Sequence, residues 1–326
     1  MKAIVYSRYG SPEVLQLTEV LKPTPKANEV LVKVRAASIN SWDWDLLTGK
    51  PYIYRLLFGL CKPKLPILGA DIAGRVESVG RDVTKFKSGD EVFGDISGCG
   101  WGGFAEYVCA RESFLALKSS NLSFPAAAAI PQAAILALQG LRDQGRLQKG
   151  QKVLINGAGG GVGTFAVQIA KASGAEVTGV DLPGKLEQLR TLGANHVIDY
   201  TQLDFSRTGL QYDLILDVAC HRSIFDYLQA LRPQGKYVMI GGSVIRILQL
   251  LLVGRFIALA TGKNMSILNH KPKAQDLDFM NAMVARGEVT PVIERCYPLS
   301  EVPDALRYFG QGQAQGKIVI TLEENP

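Results

Sequence analysis

At 326 residues the chain is long enough for two domains, each with its own core. A hydrophobic share of 47% and a charged share of 20% suit a folded globular protein and exclude a disordered or low-complexity one. The net charge of +6 is modest and no nucleic-acid motif accompanies it, so no nucleic-acid partner is expected.

Met1 to Tyr6 reads as a strand, without the charged start and apolar core of a secretory leader. Five cysteines lack any Cys-x-x-Cys pair and are expected to be reduced thiols of a cytoplasmic protein. Val30, Val32 and Val34 alternate at strand period, and short strands with glycine turns continue to about Ala116. A small β-rich domain is therefore expected over 1–121. Within it lies Asn40-Ser41-Trp42-Asp43-Trp44-Asp45. The Asn40 amide could bind a carbonyl or hold a water, with Asp43 orienting it or relaying a proton. Equally, Asn40 or Ser41 could cap a short helix whose first turn Asp43 stabilises. Tyr52 could donate a hydrogen bond to a carbonyl oxygen, or could simply pack.

From 122 to 260 strands and helices alternate: 153–156, 161–173, 176–180, 185–192, 195–198, 213–217, 223–231 and 235–240. This pattern predicts a doubly wound parallel sheet covered on both faces. Ile224, Tyr227, Leu228 and Leu231 would form one buried helix face. The most informative stretch runs from Val153 to Asp181. An apolar strand leads into Gly157-Ala158-Gly159-Gly160-Gly161-Val162-Gly163, then a helix, then a second strand ending at Asp181. Glycines let backbone approach a pyrophosphate, and the helix aims free N–H groups at it. Asp181 lies 18 residues after Gly163, near the spacing at which an acid meets the adenosine ribose. Gly157, Gly160, Gly161, Val162, Gly163 and Asp181 are thus candidate cofactor residues.

Two segments carry no Asp or Glu. Residues 46–70 hold four basic residues and 227–275 hold seven, and both contain apolar runs. Val244 to Ala260 is too short and too interrupted by Arg246, Gln249 and Arg255 to be read as a membrane span. These runs are expected to contribute an apolar pocket suited to a lipophilic acceptor; as to a membrane, packing as core and subunit interface is favoured over peripheral contact with an anionic surface. After residue 261, Leu277, Met280 and Val284 mark one helix face and Val302, Ala305, Leu306 and Phe309 another.

The glycine turn, Gln168, Ala170 and Leu192-Gly193-Ala194 resemble the zinc-independent, quinone-oxidoreductase-like branch of the medium-chain dehydrogenase/reductase family. Gly69-Ala70-Asp71, Gly89-Asp90-Glu91-Val92, Gly102-Gly103-Phe104-Ala105-Glu106-Tyr107-Val108, Val197-Ile198-Asp199-Tyr200 and Gly316-Lys317-Ile318-Val319 extend that resemblance along the chain. It implies a GroES-like catalytic domain, a Rossmann domain, and a return of 261–326 to the first domain. It also implies a cleft between the domains and a homodimer, often through edge strands. The three places where zinc-dependent relatives carry ligands read Asn40, Ala70 and about Pro131, so no zinc is expected.

By the same resemblance Asn40 and Asp43 match an Asn-x-x-Asp segment at the active-site floor. Lys185 matches a lysine that pairs with the 2′-phosphate of NADP, and Tyr200 is placed beside the adenine. Ala219, Cys220, Gly241, Gly242 and Ser243 complete the cofactor contacts. Asp45 and Leu136 depart from the family's Tyr and Thr. The expected cofactor is NAD(P)H, with Asp181 tipping the balance toward NADH by repelling a 2′-phosphate. The expected function is zinc-independent hydride transfer to quinones, enones or related lipophilic carbonyl compounds. The alternative is a non-catalytic nucleotide-binding protein, a redox sensor or scaffold.

Overall fold

The structure, a computed structural model, describes residues 1–322. In chain order it begins with β1 (Lys2–Val5), β2 (Gln16–Glu19), β3 (Glu29–Ser38), α1 (Ser41–Thr48) and α2 (Ile53–Phe58). There follow β4 (Asp71–Val79), β5 (Glu91–Asp95), β6 (Tyr107–Arg111), β7 (Leu115–Leu117), α3 (Phe124–Ala128) and α4 (Pro131–Leu138). The next elements are β8 (Lys152–Asn156), α5 (Gly161–Ala172), β9 (Glu176–Asp181), α6 (Leu186–Thr191) and β10 (His196–Asp199). Then come β11 (Tyr212–Asp217), α7 (Ile224–Ala230), β12 (Leu231–Met239), α8 (Val244–Thr261) and β13 (Asn264–Ile267). The chain closes with α9 (Ala274–Ala285), β14 (Ile293–Pro298), α10 (Val302–Gly310) and β15 (Lys317–Thr321).

These elements form two compact units, one of residues 1–133, 272–285 and 291–326, the other of 134–271 and 286–290. The first is β-rich. Its main sheet has the order β14-β15-β3-β4-β5-β7, with β6 pairing to β3, and β1-β2 form a separate ribbon. Val30, Val32 and Val34 of β3 are buried, as their alternation predicts, and pack in a core with Leu46, Leu47, Ile72 and Phe104. The returning segment supplies β14 and β15 to one side of this sheet, β15 pairing with β3, and Val302, Ala305 and Leu306 of α10 to the same core.

The second unit is a six-stranded sheet in the order β10-β9-β8-β11-β12-β13. Every pair in it is parallel. Strand order reverses beside β8, the arrangement whose crevice beyond the strand C-termini receives ligands. Val153, Leu154 and Ile155 are fully buried, as a strand covered on both faces requires. The expected α/β class, with a GroES-like unit and a doubly wound unit, is therefore the one found.

Two local readings change. Leu231 does not complete the face of α7: its backbone is extended and opens β12, while Ile224 and Tyr227 remain buried on the helix. The apolar run from Val244 does not pack as core. It forms α8, an 18-residue helix in which only Leu250, Gly254 and Ile257 are buried. These three, with Ile247 and Val253 partly buried against the same core, seat it on one side, while Ile245, Leu248, Leu251, Leu252, Phe256 and Leu259 are exposed.

Candidate functional site

The glycine turn joins β8 to α5. Gly157 has φ +79, in the left-handed region that favours glycine. A Cβ on Gly163 would fall 2.2 Å from the Gly157 carbonyl oxygen, so a glycine is needed for α5 to lie against the turn. Gly160 caps α5 in extended conformation, φ −84 and ψ −179. A Cβ there would meet only the Gly157 oxygen, at 3.6 Å, so the space beyond it is open. The first capped amide inside the helix is Thr164, which donates to the Gly160 carbonyl at 3.0 Å. The amides of Gly161, Val162 and Gly163 belong to the first turn, where N–H groups lack helical acceptors and the dipole end is positive. An open, uncluttered turn with such donors fits a dinucleotide pyrophosphate.

Asp181, at the end of β9, is buried. Its Oδ2 accepts from the Gly159 amide at 2.7 Å and its Oδ1 from the Leu182 amide at 2.8 Å. Lys185 is also buried, with Nζ 3.6 Å from Asp181 Oδ1. The two side chains expected to act as opposed readers of the ribose 2′ position are thus joined to one another. Tyr200 follows β10, exposed, with its amide donating to the Asp181 carbonyl at 3.4 Å.

Ala219 and Cys220 follow β11. A Cβ on Gly157 would lie 3.1 Å from that of Ala219. Cys220 is buried, with its amide donating to Asp217 Oδ1 at 2.9 Å, and burial pushes its thiol far above the usual range. Gly242, after β12, approaches the Cys220 side chain, and Ser243 caps α8, its Oγ accepting from the Arg246 amide at 3.4 Å. Gly241 stands in open space. All the expected cofactor residues therefore gather at the C-terminal ends of neighbouring strands in one sheet.

Beneath them lies a buried network that the motif does not reveal. Asn156 and Asp217 are register partners on β8 and β11. Asn156 Nδ2 donates to Asp217 Oδ1 at 2.8 Å, and the Tyr237 hydroxyl donates to Asp217 Oδ2 at 2.7 Å. An asparagine and an aspartate, each closing an apolar strand, were the available signal.

In the β-rich unit, register sets a second polar group. Ser38 pairs with Val319 on one side and with Asp71 on the other, and Asp71 pairs with Asp95. Polar residues at the ends of adjacent strands thus fall in one row. Asp71 is fully buried. It accepts from Ser38 Oγ at 3.2 Å, Asn40 Nδ2 at 3.0 Å and the Gln132 amide at 3.1 Å. Lys317, buried at the start of β15, donates to Asn40 Oδ1 at 2.6 Å and the Ile39 carbonyl at 3.0 Å, with Asp71 Oδ2 3.7 Å away. Two acceptors within hydrogen-bond distance and a carboxylate 3.7 Å away thus surround the buried Lys317 amine. Burial pushes the Asp71 carboxyl up and the Lys317 amine down, while their attraction opposes both shifts.

Asn40 is thereby fixed: its carbonyl faces Lys317, and one amide proton is committed to Asp71. Asp43, also fully buried, accepts from the Asn40 backbone N–H at 2.8 Å and the Gly69 backbone N–H at 2.9 Å. It holds the first turn of α1 and ties it to the loop before β4. Burial raises its carboxyl to about 7. Sequence reasoning found Asn40 and Asp43 but quoted Asp71 and Lys317 only as landmarks. A lysine opening the apolar strand Ile318-Val319-Ile320 was the missed signal, because a buried lysine requires a partner.

Tyr52 does not join this group. It lies 67% exposed before α2, with its ring 5.0 Å from the Arg55 guanidinium. An aromatic cluster forms at α1 instead. Trp42 stacks on Tyr54 at 5.4 Å, with Phe58 edge-on at 6.1 Å and Trp101 at 6.5 Å. Trp42 is partly exposed and sits next to Asp43 in the chain. Among the described residues, no group of three or more His, Cys, Asp or Glu side chains could hold a metal ion.

Comparison with known proteins accords with both units. Residues 26–120 match the family model of the alcohol dehydrogenase GroES-like domain, and residues 192–320 match that of zinc-binding dehydrogenases. A chloroplast envelope quinone oxidoreductase homolog of Arabidopsis thaliana is 33% identical, with 98% of each chain covered. The NADPH-dependent alkenal/one oxidoreductase of the same plant, a chloroplastic protein, is 32% identical over 98% of this chain and 79% of its own. Among solved structures, the quinone oxidoreductase from Coxiella burnetii superposes with a TM-score of 0.89 at 30% identity, covering 99% of each chain.

Proposed function

Since this chain belongs to the quinone-oxidoreductase-like branch of the medium-chain dehydrogenase/reductase family, we propose that it is an NAD(P)H-dependent oxidoreductase acting on quinones, enones or related lipophilic carbonyl compounds. The observation that carries this reading is the open glycine turn at Gly160, backed by the first-turn amides of α5. Bound there by its pyrophosphate, a reduced nicotinamide dinucleotide supplies a hydride.

The chain's own residues bind and orient. The α5 amides take the phosphates. The second amide proton of Asn40 Nδ2 donates to the acceptor's carbonyl oxygen, with Asp71 and Lys317 holding that amide in one orientation. The Trp42 cluster offers an apolar face to a planar acceptor. An acceptor already polarised by conjugation needs no Lewis acid. Steady-state oxidation of NAD(P)H against a panel of quinones and enones is expected to show turnover. Cofactor binding without turnover on any acceptor would instead favour the non-catalytic nucleotide-binding reading.

Cofactor preference follows from the Asp181–Lys185 pair. The lean toward NADH rests on the Asp181 charge, which Lys185 largely offsets, so both cofactors are expected to bind. Lys185→Ala leaves the Asp181 carboxylate uncompensated and should weaken NADPH relative to NADH by roughly tenfold, about 1.4 kcal/mol. Asp181→Ser removes the carboxylate that repels a 2′-phosphate and should shift the ratio the other way. Titration of both cofactors against both variants checks this; an unchanged ratio in each would remove the pair from cofactor choice.

A homodimer paired through the edge strand β13 is the proposed assembly. The proposed compartment is the cytoplasm, on the strength of five free cysteines, although both plant relatives are named for the chloroplast.

A further inference from the structure

An apolar helix normally lies inside a protein. Helix α8 does not. Its buried positions, Leu250, Gly254 and Ile257, occupy one side, and Leu250 and Ile257 pack into the core of the nucleotide unit. At 100° per residue, Ile245, Leu248, Leu252, Phe256 and Leu259 fall on the opposite side and form one continuous stripe. All five are exposed, Leu252 and Phe256 at 69% each. Such a stripe on the surface marks an interaction site.

Charge identifies the occupant. No Asp or Glu occurs anywhere in 227–275, whereas Arg255 borders the stripe and Arg246 and Lys263 lie at the two ends of the helix. A symmetric contact between two copies of α8 would bring arginines together with no acid from this segment to neutralise them. An anionic lipid surface neutralises this charge directly: the Arg255 stem lies beside the apolar stripe with its head toward the phosphates, and Arg246 and Lys263 add positive charge at the ends of the helix. The β-rich unit carries a second patch of the same chemistry. Ile53, Leu56, Leu57 and Leu60 are exposed in the acid-free segment 46–70, which holds Lys62 and Lys64.

We infer that α8 is a peripheral docking helix for an anionic membrane surface, lying in the interface with its outward stripe among the lipids. It does not span. Eighteen residues reach about 27 Å, short of the ~30 Å hydrocarbon core, and its inner side remains packed on the sheet. The inference goes beyond the proposed reaction and does not depend on it, because binding is read without turnover.

The test is co-sedimentation of the full chain with vesicles of phosphatidylcholine alone or with about 30% phosphatidylglycerol, which sets up the negative surface potential, at low and high salt. The wild type is expected to sediment with the anionic vesicles at low salt and to bind at least tenfold more weakly at high salt or to neutral vesicles. Leu252→Ser/Phe256→Ser and Arg255→Glu should each lower low-salt binding at least tenfold. Their circular dichroism melts and NADPH affinities should match the wild type, which separates lost docking from lost folding. Three results overturn the inference: no sedimentation with any vesicle, equal binding to neutral and anionic vesicles, or variants that bind like the wild type. A concentration-dependent dimer that Leu252→Ser/Phe256→Ser dissociates, without vesicle binding, would assign the stripe to a second copy and likewise overturn it.

Discussion

Gly160→Asp is expected to leave the protein folded and nearly abolish dinucleotide binding. The position is extended, its Cβ direction is open, and aspartate is a favoured helix cap, so the apo protein should melt at or slightly above the wild-type temperature. The new carboxylate, however, takes the first-turn amides for itself and stands where the pyrophosphate must sit. Two like charges about 4 Å apart repel by ~4 kcal/mol at the effective dielectric of a protein surface. That corresponds to roughly a thousandfold loss of affinity. Fluorescence titration with NADPH measures it. An unchanged affinity in a folded variant would place the pyrophosphate elsewhere.

The second large effect concerns Lys317. Lys317→Met fills similar volume but strips Asp71 of its cation while leaving that carboxylate buried. Breaking a buried pair from one side costs about 3–5 kcal/mol. The loss should depend on pH in a defined direction. Lys317 holds the Asp71 and Asp43 carboxyls down against burial; without it both rise further. A folded-state carboxyl above its ordinary value binds protons that the unfolded chain has released, so stability falls as pH rises through that interval. For Asp43 the interval already reaches about 7 in the wild type. The deficit of the variant, from denaturant melts, should therefore be small near pH 5 and largest near pH 8. Pairing Lys317→Met with Asp71→Asn should recover much of the lost stability. A deficit independent of pH would mean that lost packing, not the unpaired carboxylate, dominates.

The sequence disclosed what local pattern can disclose. The run from Val153 to Asp181 encodes strand, turn, helix and strand within 29 residues, and each follows from periodicity or glycine chemistry. The Asn40–Asp43 link was legible for the same reason, since both ends lie in one turn. What stayed hidden depends on distance or on sidedness. Lys317 meets Asn40 across 277 residues, and no local pattern connects them. Asp181 and Lys185 do stand at helical spacing, yet read as separate ligand contacts they conceal their own pairing. For α8, composition argued burial. A helix so largely apolar gives no moment to show which side is covered, and one side proved enough to seat it.

The buried group of Ser38, Asp71 and Lys317 has a consequence in time as well as in space. Asp71 leaves the ribosome early, whereas its counter-charge arrives near the end of the chain, after the whole of 134–271 has been made. The unit built on the six-stranded sheet draws nearly all its residues, and all its strands, from that continuous stretch and can assemble as soon as it emerges. The first unit cannot bring Lys317 to Asp71 until β15 is inserted beside β3, and Asp71 stays hydrated until then. Synthesis therefore runs opposite to nesting: the unit begun second is completed first, and the unit begun first waits for the last strand.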